Sequence, residues 1–366
     1  MAVKRIGVIG SGQLGRMMAL AGTHLDTEYV FFDEALESPC SNLGPTLQPS
    51  QNTLDEFISR VDVVTYESEN TDAKLVEKIN QHVPVYPGVN SLLKSQHRLT
   101  EKAFFQSIGI STANFRKVET KDDLNTAVEE LGLPIILKTT REGYDGKGQA
   151  MIKTAGDIES AWAELQGKEL IAEAFVTFSR ELSVIATRSP SNEIKIYPLA
   201  ENDHSQGILR VSKVPVQNLS DEKAEQAKQF ITKLLNELNH VGVLTLELFD
   251  TESGLVANEM APRVHNSGHW SIEGAYCSQF ENHIRAICDF PLGSTEQREP
   301  FAGMVNIIGK HGDRNSVLKQ ENCFYHDYGK SERKNRKLGH INIVSQSEAE
   351  LSNTISQLAD FVKECG

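Results

Sequence analysis

Cysteine is scarce in this sequence, and the few cysteines present form no motif. Five occur in 366 residues, an odd number with no C-x-x-C pair among them. A disulfide framework and a zinc ribbon are therefore both disfavoured, because each needs paired, closely spaced thiols. We expect reduced, mostly buried thiols at Cys40, Cys277, Cys288, Cys323 and Cys365.

Long hydrophobic runs and low-complexity tracts are also missing. No apolar stretch approaches the roughly 20 residues that cross a bilayer, and hydrophobic residues make up 39% and charged residues 24% of the chain. The first residues lead directly into a strand-like run at 6–9, without the apolar core or cleavage site of a secretory signal. We therefore expect a cytoplasmic protein that does not bind membranes.

Positive charge is in deficit. The chain has 37 Lys and Arg against 50 Asp and Glu, giving a net charge of −13. This balance disfavours non-specific binding to nucleic acid. An anionic substrate would have to be bound by local basic groups.

The pattern of strands and helices predicts an α/β and α+β protein of two or three domains, on a prior of roughly 100 to 200 residues per domain. Strand-like runs alternate with helical ones at the start, which indicates a doubly wound parallel sheet. Further on come a small α+β module, then long hairpins, then short strands and a last amphipathic helix. The predicted units are 1–92, 93–299 with its small module at about 112–175, and 300–366. The predicted strands and helices include 4–9, 13–22, 28–33, 61–66, 121–131, 156–166, 169–173, 221–239 and 347–363, with a polar helix running from about Ser91 through Arg98 and Lys102.

A glycine-rich loop around one lysine follows an apolar strand that ends at Lys138. The loop runs from Arg141 to Gln149, and its glycines would let backbone N–H groups approach phosphate oxygens closely. It is not a Walker loop, because Gly148 follows Lys147 where Ser or Thr would be required. This segment predicts a nucleotide phosphate site, with an unliganded hairpin tip as the alternative.

The N-terminal turn matches a dinucleotide fingerprint by spacing alone. Gly10, Gly12 and Gly15 follow a strand and precede a helix, and Asp33 ends the next strand. An NAD-dependent dehydrogenase, a structural turn and a simple phosphate cradle all fit this pattern. The second glycine loop and the carboxylates described next favour the latter two.

Two apolar strands, 242–249 and 255–260, each contain one glutamate. If the connecting loop is the three residues 252–254, then Thr251 faces Leu255 and Glu247 falls opposite Glu259. Like charges across a sheet repel, so this arrangement predicts a bound divalent cation, with Asn258 nearby and phosphate oxygens as further hard ligands. A one-residue slip would instead send the two glutamates to opposite faces.

The segment that follows, 261–270, is rich in polar groups and too rich in Pro and Gly for a helix. Zinc is disfavoured because His265 and His269 have helical spacing without a helix. Arg263 and Asn266 suit anion contacts, with a plain surface loop as the alternative.

Further on, five cationic side chains lie between Lys330 and Lys337. They suit either a solvated surface or a phosphate clamp.

Several segments together resemble the ATP-grasp superfamily and, within it, the 5-(carboxyamino)imidazole ribonucleotide synthase family, over nearly the whole length. The segments that carry the resemblance are 12–17, 65–67, 143–149, 180–183, 258–263, 265–269 and 278–281. The resemblance implies an ATP-grasp fold, with a Rossmann-like substrate domain before it and a β-rich domain after it. It also implies a ligase that consumes ATP and bicarbonate to carboxylate 5-aminoimidazole ribonucleotide through carboxyphosphate, with Mg²⁺ or Mn²⁺, as a homodimer.

Site residues carry over from the resemblance position by position. It implies that the ATP contacts are Arg98, Lys138, Gly143, Tyr144, Asp145, Gly146, Lys147, Gly148, Gln149, Glu173, Ala174, Phe175, Val176, Glu181, His204, Asn258 and Glu259. It implies that Glu247 and Glu259 hold the metal. It implies that the ribonucleotide contacts are Gly12, Gln13, Leu14, Glu67, Asp145, Arg263, Asn266, Ser267, Lys330, Arg336 and Lys337. The catalytic set is Lys138, Tyr144, Asp145, Lys147 and Arg263, and either Asp145 or Glu67 would orient the amine.

One departure and three rival functions accompany this interpretation. His97 stands where the family usually has an acidic residue, just before Arg98. The rivals are another ATP-grasp ligase such as formate-dependent glycinamide ribonucleotide transformylase, an NAD-dependent dehydrogenase, and a non-catalytic nucleotide-binding regulator. Nucleic acid is not an expected partner.

Overall fold

The computed structural model describes residues 3–141 and 148–358. Within these ranges no helix is long and apolar enough to cross a membrane. The described cysteines, Cys40, Cys277, Cys288 and Cys323, are all buried and free, as the sequence predicts.

The N-terminal sheet is parallel, with strand order β3-β2-β1-β4. The last four residues of β1 and of β2, and all of β4, are buried, as expected where helices cover both faces of a parallel sheet. The predicted doubly wound sheet is confirmed, although the predicted helix through Arg98 is broken at Gln96 and His97. The elements are β1 (Lys4–Ile9), α1 (Gln13–Gly22), β2 (Thr27–Phe32), β3 (Thr46–Leu47), α2 (Gln51–Arg60), β4 (Val63–Tyr66), α3 (Ala73–Asn80), α4 (Val89–Ser95) and α5 (Arg98–Ser107).

A small antiparallel module follows, with strand order β5-β8-β6-β7. Its first helix begins at a capping box formed by Thr120 and Asp123 and ends at Gly132, whose φ is +72°. It has its own apolar core, which includes Leu124, Leu137 and Leu170. The elements are β5 (Phe115–Val118), α6 (Lys121–Leu131), β6 (Ile135–Thr139), β7 (Gln149–Ile152), α7 (Ile158–Leu165) and β8 (Leu170–Ala174).

The rest of the chain builds one nine-stranded sheet. Eight strands run in the order β14-β13-β9-β11-β12-β15-β17-β16, and β10 pairs with β9. The last three strands therefore continue the sheet of the preceding unit through the β12–β15 pair. The elements are β9 (Arg180–Arg188), β10 (Ile194–Ile196), β11 (Ala200–Ser205), β12 (Ile208–Val214), α8 (Asp221–Glu237), β13 (Gly242–Thr251), β14 (Gly254–Ala261), α9 (Ser271–Gly274), α10 (Gln279–Ile287), β15 (Phe301–Ile308), α11 (Arg314–Leu318), β16 (Cys323–Asp327), β17 (Lys337–Ser345) and α12 (Glu348–Gln357).

The β13–β14 hairpin has a shorter loop than predicted but still sets Glu247 opposite Glu259. Thr251 pairs with Gly254, so the loop has two residues and the predicted three-residue loop is wrong. Leu248 pairs with Ala257 but Leu246 pairs with Met260, so a bulge sets one residue of β13 against two of β14. Glu247 therefore faces both Asn258 and Glu259.

Candidate active site

One cavity of about 1340 Å³ is lined by strand residues of the small module and of the nine-stranded sheet, by the start of α1 and by the segment that follows β4. Most of the predicted site residues that the structure describes contribute to its wall. They are Gln13, Leu14, Glu67, Arg98, Lys138, Gln149, Phe175, Glu181, His204, Glu247, Asn258, Glu259, Arg263, Asn266, Lys330, Arg336 and Lys337. The described residues Gly12, Gly148, Glu173, Ala174, Val176 and Ser267 do not line it.

The two glutamates of the hairpin face this cavity beside basic groups. Glu247 Oε1 lies 3.2 Å from His265 Nε2, and Glu259 Oε2 accepts a hydrogen bond of 3.0 Å from Arg98 Nη1. Burial disfavours the charged form of Glu247, but the hydrogen bond from His265 and nearby positive charges outweigh it and lower its pKa. The hairpin therefore presents two carboxylates to one space.

These carboxylates fit a magnesium–nucleotide complex better than a metal held by protein alone. In the part of the chain that the structure describes, no group of three or more His, Cys, Asp or Glu could enclose a metal ion. Magnesium commonly takes one or two carboxylates and completes its shell with phosphate oxygens and water. Zinc prefers nitrogen and sulfur ligands, and His269, which lines the cavity, is only 1% exposed.

Two buried lysines contact one carboxylate of the small module at about 112–175, which is called the lid from here on. Glu173 Oε2 lies 2.9 Å from Lys138 Nζ and 3.4 Å from Lys102 Nζ. Burial disfavours its charge, but the two ammonium groups outweigh this and lower the pKa of Glu173 to about 2. The carboxylate of Glu173 thus neutralises two lysines that would otherwise be buried unpaired, and the predicted adenine contact of Glu173 stays a prediction.

Aromatic rings and one polar pair form another part of the wall. Phe178 and Phe249 stack with ring centroids 4.6 Å apart, and Phe175 also lines the cavity. Close by, Glu181 Oε2 lies 3.3 Å from His204 Nδ1. Burial opposes protonation of His204, but Glu181 and Glu247 outweigh it and raise its pKa. An apolar floor with a few convergent polar groups suits a base and its ribose hydroxyls.

A basic segment forms the far wall of the cavity. Its cationic side chains, Lys330, Arg333, Lys334, Arg336 and Lys337, all line the cavity. Lys330 donates a hydrogen bond to Gln13 Oε1, which ties this segment to the N-terminal glycine turn. Burial and neighbouring cations lower the pKa of Lys330. Such a concentration of positive charge attracts a phosphate or another anion.

The loop after β14 is held by internal contacts. Arg263 forms a two-pronged ion pair with Glu69, in which Nη2 donates to Oε1 at 2.9 Å. Burial disfavours the charge of Glu69, but Arg263 outweighs it and lowers the pKa of Glu69 to about 2. Ser267 is fully buried, with its Oγ 2.8 Å from Ser183 Oγ and 2.9 Å from His265 Nδ1. The Ser267 hydroxyl therefore contacts other protein groups, including His265, and its predicted substrate contact stays a prediction.

The N-terminal glycine turn is occupied by protein carboxylates. Glu67 accepts hydrogen bonds from Gly12 N at 2.7 Å and Gly15 N at 2.8 Å, so it fills the helix terminus where a pyrophosphate would bind. Burial raises the pKa of Glu67 in spite of these hydrogen bonds. Asp33 Oδ2 accepts from both Ser11 N and Ser11 Oγ at 2.7 Å. The two groups that a dinucleotide would need are therefore already engaged.

Part of the predicted phosphate loop lies outside the described residues. Gly143, Tyr144, Asp145, Gly146 and Lys147 fall there, so their predicted roles stay predictions. At the end of the loop, Gly148 has φ +67°, and a Cβ on it would lie 2.7 Å from Thr139 Oγ1. Gly148 is therefore required by the close approach of strand β6.

Three residues of the site or its surroundings were not predicted from the sequence. Lys102 lies four residues after Arg98, so the spacing places both on one helix face, but nothing in the spacing indicates its pairing with Glu173. Glu69 and Phe178 had no such signal, because their partners Arg263 and Phe249 lie 194 and 71 positions away in the chain.

Comparison with known proteins matches the three parts of the chain to three families. Residues 3–96 match the ribonucleotide synthetase preATP-grasp domain, residues 103–280 the ATP-grasp domain, and residues 302–354 the phosphoribosylaminoimidazole carboxylase C-terminal domain.

Individual relatives match over almost the full length. A Pseudomonas aeruginosa protein named N5-carboxyaminoimidazole ribonucleotide synthase is 41% identical over 98% of this chain and 99% of its own. The crystal structure of N5-carboxyaminoimidazole ribonucleotide synthetase from Thermus thermophilus is 41% identical, with a TM-score of 0.93 over 98% of this chain and 99% of that one. An Aspergillus clavatus N5-carboxyaminoimidazole synthase in complex with ADP and 5-aminoimidazole ribonucleotide is 29% identical, with a TM-score of 0.91 over 98% of each chain.

Proposed function

Because this chain belongs to the N5-carboxyaminoimidazole ribonucleotide synthase family, we propose that it uses ATP to carboxylate 5-aminoimidazole ribonucleotide on its exocyclic amine, in purine biosynthesis. One observation carries the proposal beyond family membership. A single cavity holds a carboxylate pair, a buried lysine and a basic segment, the groups needed for a metal-bound triphosphate and a second, phosphorylated substrate.

ATP is proposed to bind between the lid module and the β13–β14 hairpin. Lys138 and Arg98 supply positive charge for the phosphates, together with the glycine loop from Gly143 to Gln149. Phe175, Phe178 and Phe249 offer an apolar surface for the base, and Glu181 with His204 suits the ribose. The backbone of 173–176 passes this region, so Ala174 and Val176 remain candidates for main-chain contacts.

Magnesium or manganese is proposed to bind with the nucleotide on Glu247 and Glu259, with Asn258 beside them. When bound, the metal would neutralise the negative charge that develops on the phosphate oxygens. The protein places the ligands, since the bulge in β14 brings Asn258 and Glu259 opposite Glu247.

The ribonucleotide is proposed to bind between the glycine turn and the basic segment. Lys330, Arg336 and Lys337 would hold its phosphate, and Gln13, Leu14 and Glu67 would line its other side. Arg263 and Asn266 lie nearer the carboxylate pair, where an oxyanion such as bicarbonate or carboxyphosphate would need donors. The Arg263–Glu69 pair leaves Arg263 anchored in one orientation for that task.

The chemistry proceeds in two steps. A bicarbonate oxygen attacks the γ-phosphorus of ATP, releasing ADP and forming carboxyphosphate. The amine of the ribonucleotide then bonds to the carbonyl carbon, phosphate leaves, and one proton passes to an acceptor. Both carboxylate oxygens of Glu67 already accept hydrogen bonds from backbone N–H groups, which hold the carboxylate in one orientation. Glu67 is one candidate to accept the proton of the amine, and Asp145 is the other. Carboxyphosphate decomposes readily in water, so exclusion of water is essential.

We further propose a cytoplasmic homodimer with units divided near residues 92 and 299. Buried free thiols at four positions suit a reducing compartment. Light scattering of the purified chain would test the dimer, and a mass of one chain at micromolar concentration would refute it.

The decisive experiment measures ADP release with each substrate omitted in turn. We expect ADP release to require both bicarbonate and 5-aminoimidazole ribonucleotide, and no carboxylated ribonucleotide to form when either is absent. Formate with glycinamide ribonucleotide serves as the matched control, and faster turnover with that pair would favour the rival ligase. The dehydrogenase alternative is disfavoured by the engaged Glu67 and Asp33. No ADP release under any combination would favour a regulator.

A further inference from the structure

His97 joins the two parts of the protein that must both contact the nucleotide. It precedes helix α5, outside the lid module, and its Nε2 lies 3.0 Å from Oε2 of Glu169, which precedes strand β8 inside the lid. The imidazole is largely buried, with 12% of the side chain exposed, whereas Glu169 is 45% exposed. The contact therefore crosses from the body of the protein to the lid.

The surroundings of the ring define how it bonds. His97 Nδ1 is buried and has no hydrogen-bond partner among residues 3–141 and 148–358. The ring therefore meets the lid through Nε2, which lies 3.0 Å from Glu169 Oε2. Glu169 also lies 3.5 Å from Thr140 Oγ1 and 3.9 Å from Lys117 Nζ, so its charge is supported from the lid side.

Backbone hydrogen bonds also connect the start of α5 to the lid near His97 and Glu169. Arg98 N donates to Thr140 O at 2.9 Å, and Thr140 N donates to Glu169 O at 3.0 Å. Thr140 directly follows strand β6, which carries Lys138. The residues at positions 97 and 98 are thus connected to the ends of both β6 and β8.

The side chain of Arg98 extends this connection to the hairpin, because its guanidinium binds Glu259 at 3.0 Å. Lys138 from the lid and Arg98 from the body both line the cavity. Their separation depends on how the lid is held against α5, and His97–Glu169 is a side-chain contact at that junction.

We propose that His97 is a positioning residue for ATP, which holds Glu169 and so fixes the lid strands at the distance where Lys138 and Arg98 act on one triphosphate. This rests on the proposed use of ATP. It also explains why this chain has His97 where related sequences usually have an acidic residue, since an acidic side chain here would face Glu169 and repel it. A histidine donor and an acidic residue are therefore not interchangeable in this chain.

Steady-state kinetics of single variants tests this role. We expect His97→Ala and Glu169→Ala each to raise the KM for ATP by roughly three- to tenfold, as for loss of one partly exposed hydrogen bond, with kcat and the KM for the ribonucleotide little changed. His97→Asp should be worse than His97→Ala. His97→Gln, whose amide can donate in place of Nε2, should restore much of the loss. Glu159→Ala is the control, because its partner Lys121 also belongs to the lid.

A double-mutant cycle separates positioning from general damage. His97→Ala in the Glu169→Ala background should add little, because the two side chains act as one unit. Fully additive effects, or an unchanged KM for ATP in His97→Ala, would overturn the proposal. Calorimetry with the non-hydrolysable analogue AMP-PNP gives an independent readout: weaker binding by His97→Ala supports the role even if the wild type fails to carboxylate the ribonucleotide. If His97→Ala does not fold, Glu169→Ala and His97→Gln still decide the question.

Discussion

At the scale of single residues, the cavity is built from charges that other charges hold in place. Glu259 is the more exposed carboxylate of the hairpin pair, with 40% of its side chain accessible against 17% for Glu247, and Arg98 Nη1 contacts it at 3.0 Å. Glu173 and Glu69 are instead enclosed by lysine or arginine. Glu259 is therefore accessible to a ligand, and the enclosed Glu173 and Glu69 shape the site around it.

Glu259→Gln should therefore abolish ADP formation without disturbing the fold. The amide keeps the volume and can still accept from Arg98, but it removes one negative ligand of a magnesium–nucleotide complex. We expect a loss of roughly 100-fold or more in the rate of ADP release, with an unchanged circular dichroism spectrum. Glu252→Gln, at the exposed tip of the same hairpin, is the matched control. Near-normal turnover by Glu259→Gln would refute the metal assignment.

Glu101 predicts a dependence of stability on pH. Burial and the nearby charge of Glu259 raise its pKa to about 8, while its Oε1 accepts a hydrogen bond from Met260 N at 2.7 Å. A folded pKa above the unfolded value means that the native state retains a proton that the unfolded chain has lost, so the free energy of unfolding falls as pH rises from about 4.5 to about 8.

Glu101→Gln keeps the acceptor and removes this titration. We expect its Tm to exceed that of the wild type by a margin that grows between pH 5 and pH 8, measured by differential scanning calorimetry. A constant margin across that range would show that Glu101 does not hold an extra proton in the folded state.

The carboxylate pair was predictable from sequence, whereas the enclosed ion pairs were not. Glu247 and Glu259 each interrupt a strand of apolar residues close together in the chain, so local pairing rules apply to them. Lys102, Glu173 and Glu69 meet partners from distant segments. Periodicity carries no information on which buried charge will find which counter-charge.

At the scale of elements, the β13–β14 hairpin shows how two local features combine. The two-residue loop alone would place Glu247 opposite Asn258, and the bulge shifts the remaining pairing by one residue. The loop prediction was wrong, but the facing of the two glutamates was right, because the bulge compensates for the shorter loop. Sequence patterns predict strands well and bulges poorly, since a bulge depends on packing against neighbouring strands.

The basic segment before β17 yields the next prediction. Arg336 and Lys337 line the cavity together with Lys330, on the side of the N-terminal glycine turn. Replacing both by alanine should raise the KM for 5-aminoimidazole ribonucleotide by roughly 10- to 100-fold, which corresponds to about 1 kcal/mol for each of two partly exposed charge contacts. The KM for ATP should change much less, because the lid lysine and Arg98 remain.

Steady-state kinetics with each substrate varied separately would check this. Arg314→Ala with Lys319→Ala, two exposed cations that do not line the cavity, is the control for the change in net charge. An equal rise in both KM values would remove the phosphate-clamp assignment.

At the scale of the whole molecule, the third unit is part of the sheet that carries the carboxylate pair. The sequence predicted a separate β-rich unit from residue 300, and short strands are found there. Their attachment could not be predicted, because the pairing of Val211 with Val305 and of Val214 with Ala302 joins residues about 90 positions apart. The same sheet brings the basic segment to the cavity, so one continuous structure connects the proposed metal ligands to the proposed phosphate clamp.

Removing residues 300–366 should therefore also destabilise the part of the chain that remains. Strand β12 would lose its neighbour and become an exposed apolar edge, which promotes aggregation. Trp270 and Val214 would lose Ala302, Met304 and Tyr328 from a shared core cluster. We expect low soluble yield, no cooperative thermal transition near that of the full-length chain, and no binding of AMP-PNP by calorimetry. A soluble fragment of residues 1–299 that unfolds cooperatively at the full-length Tm would show that the β12–β15 pair is only a docking contact between two independently stable units.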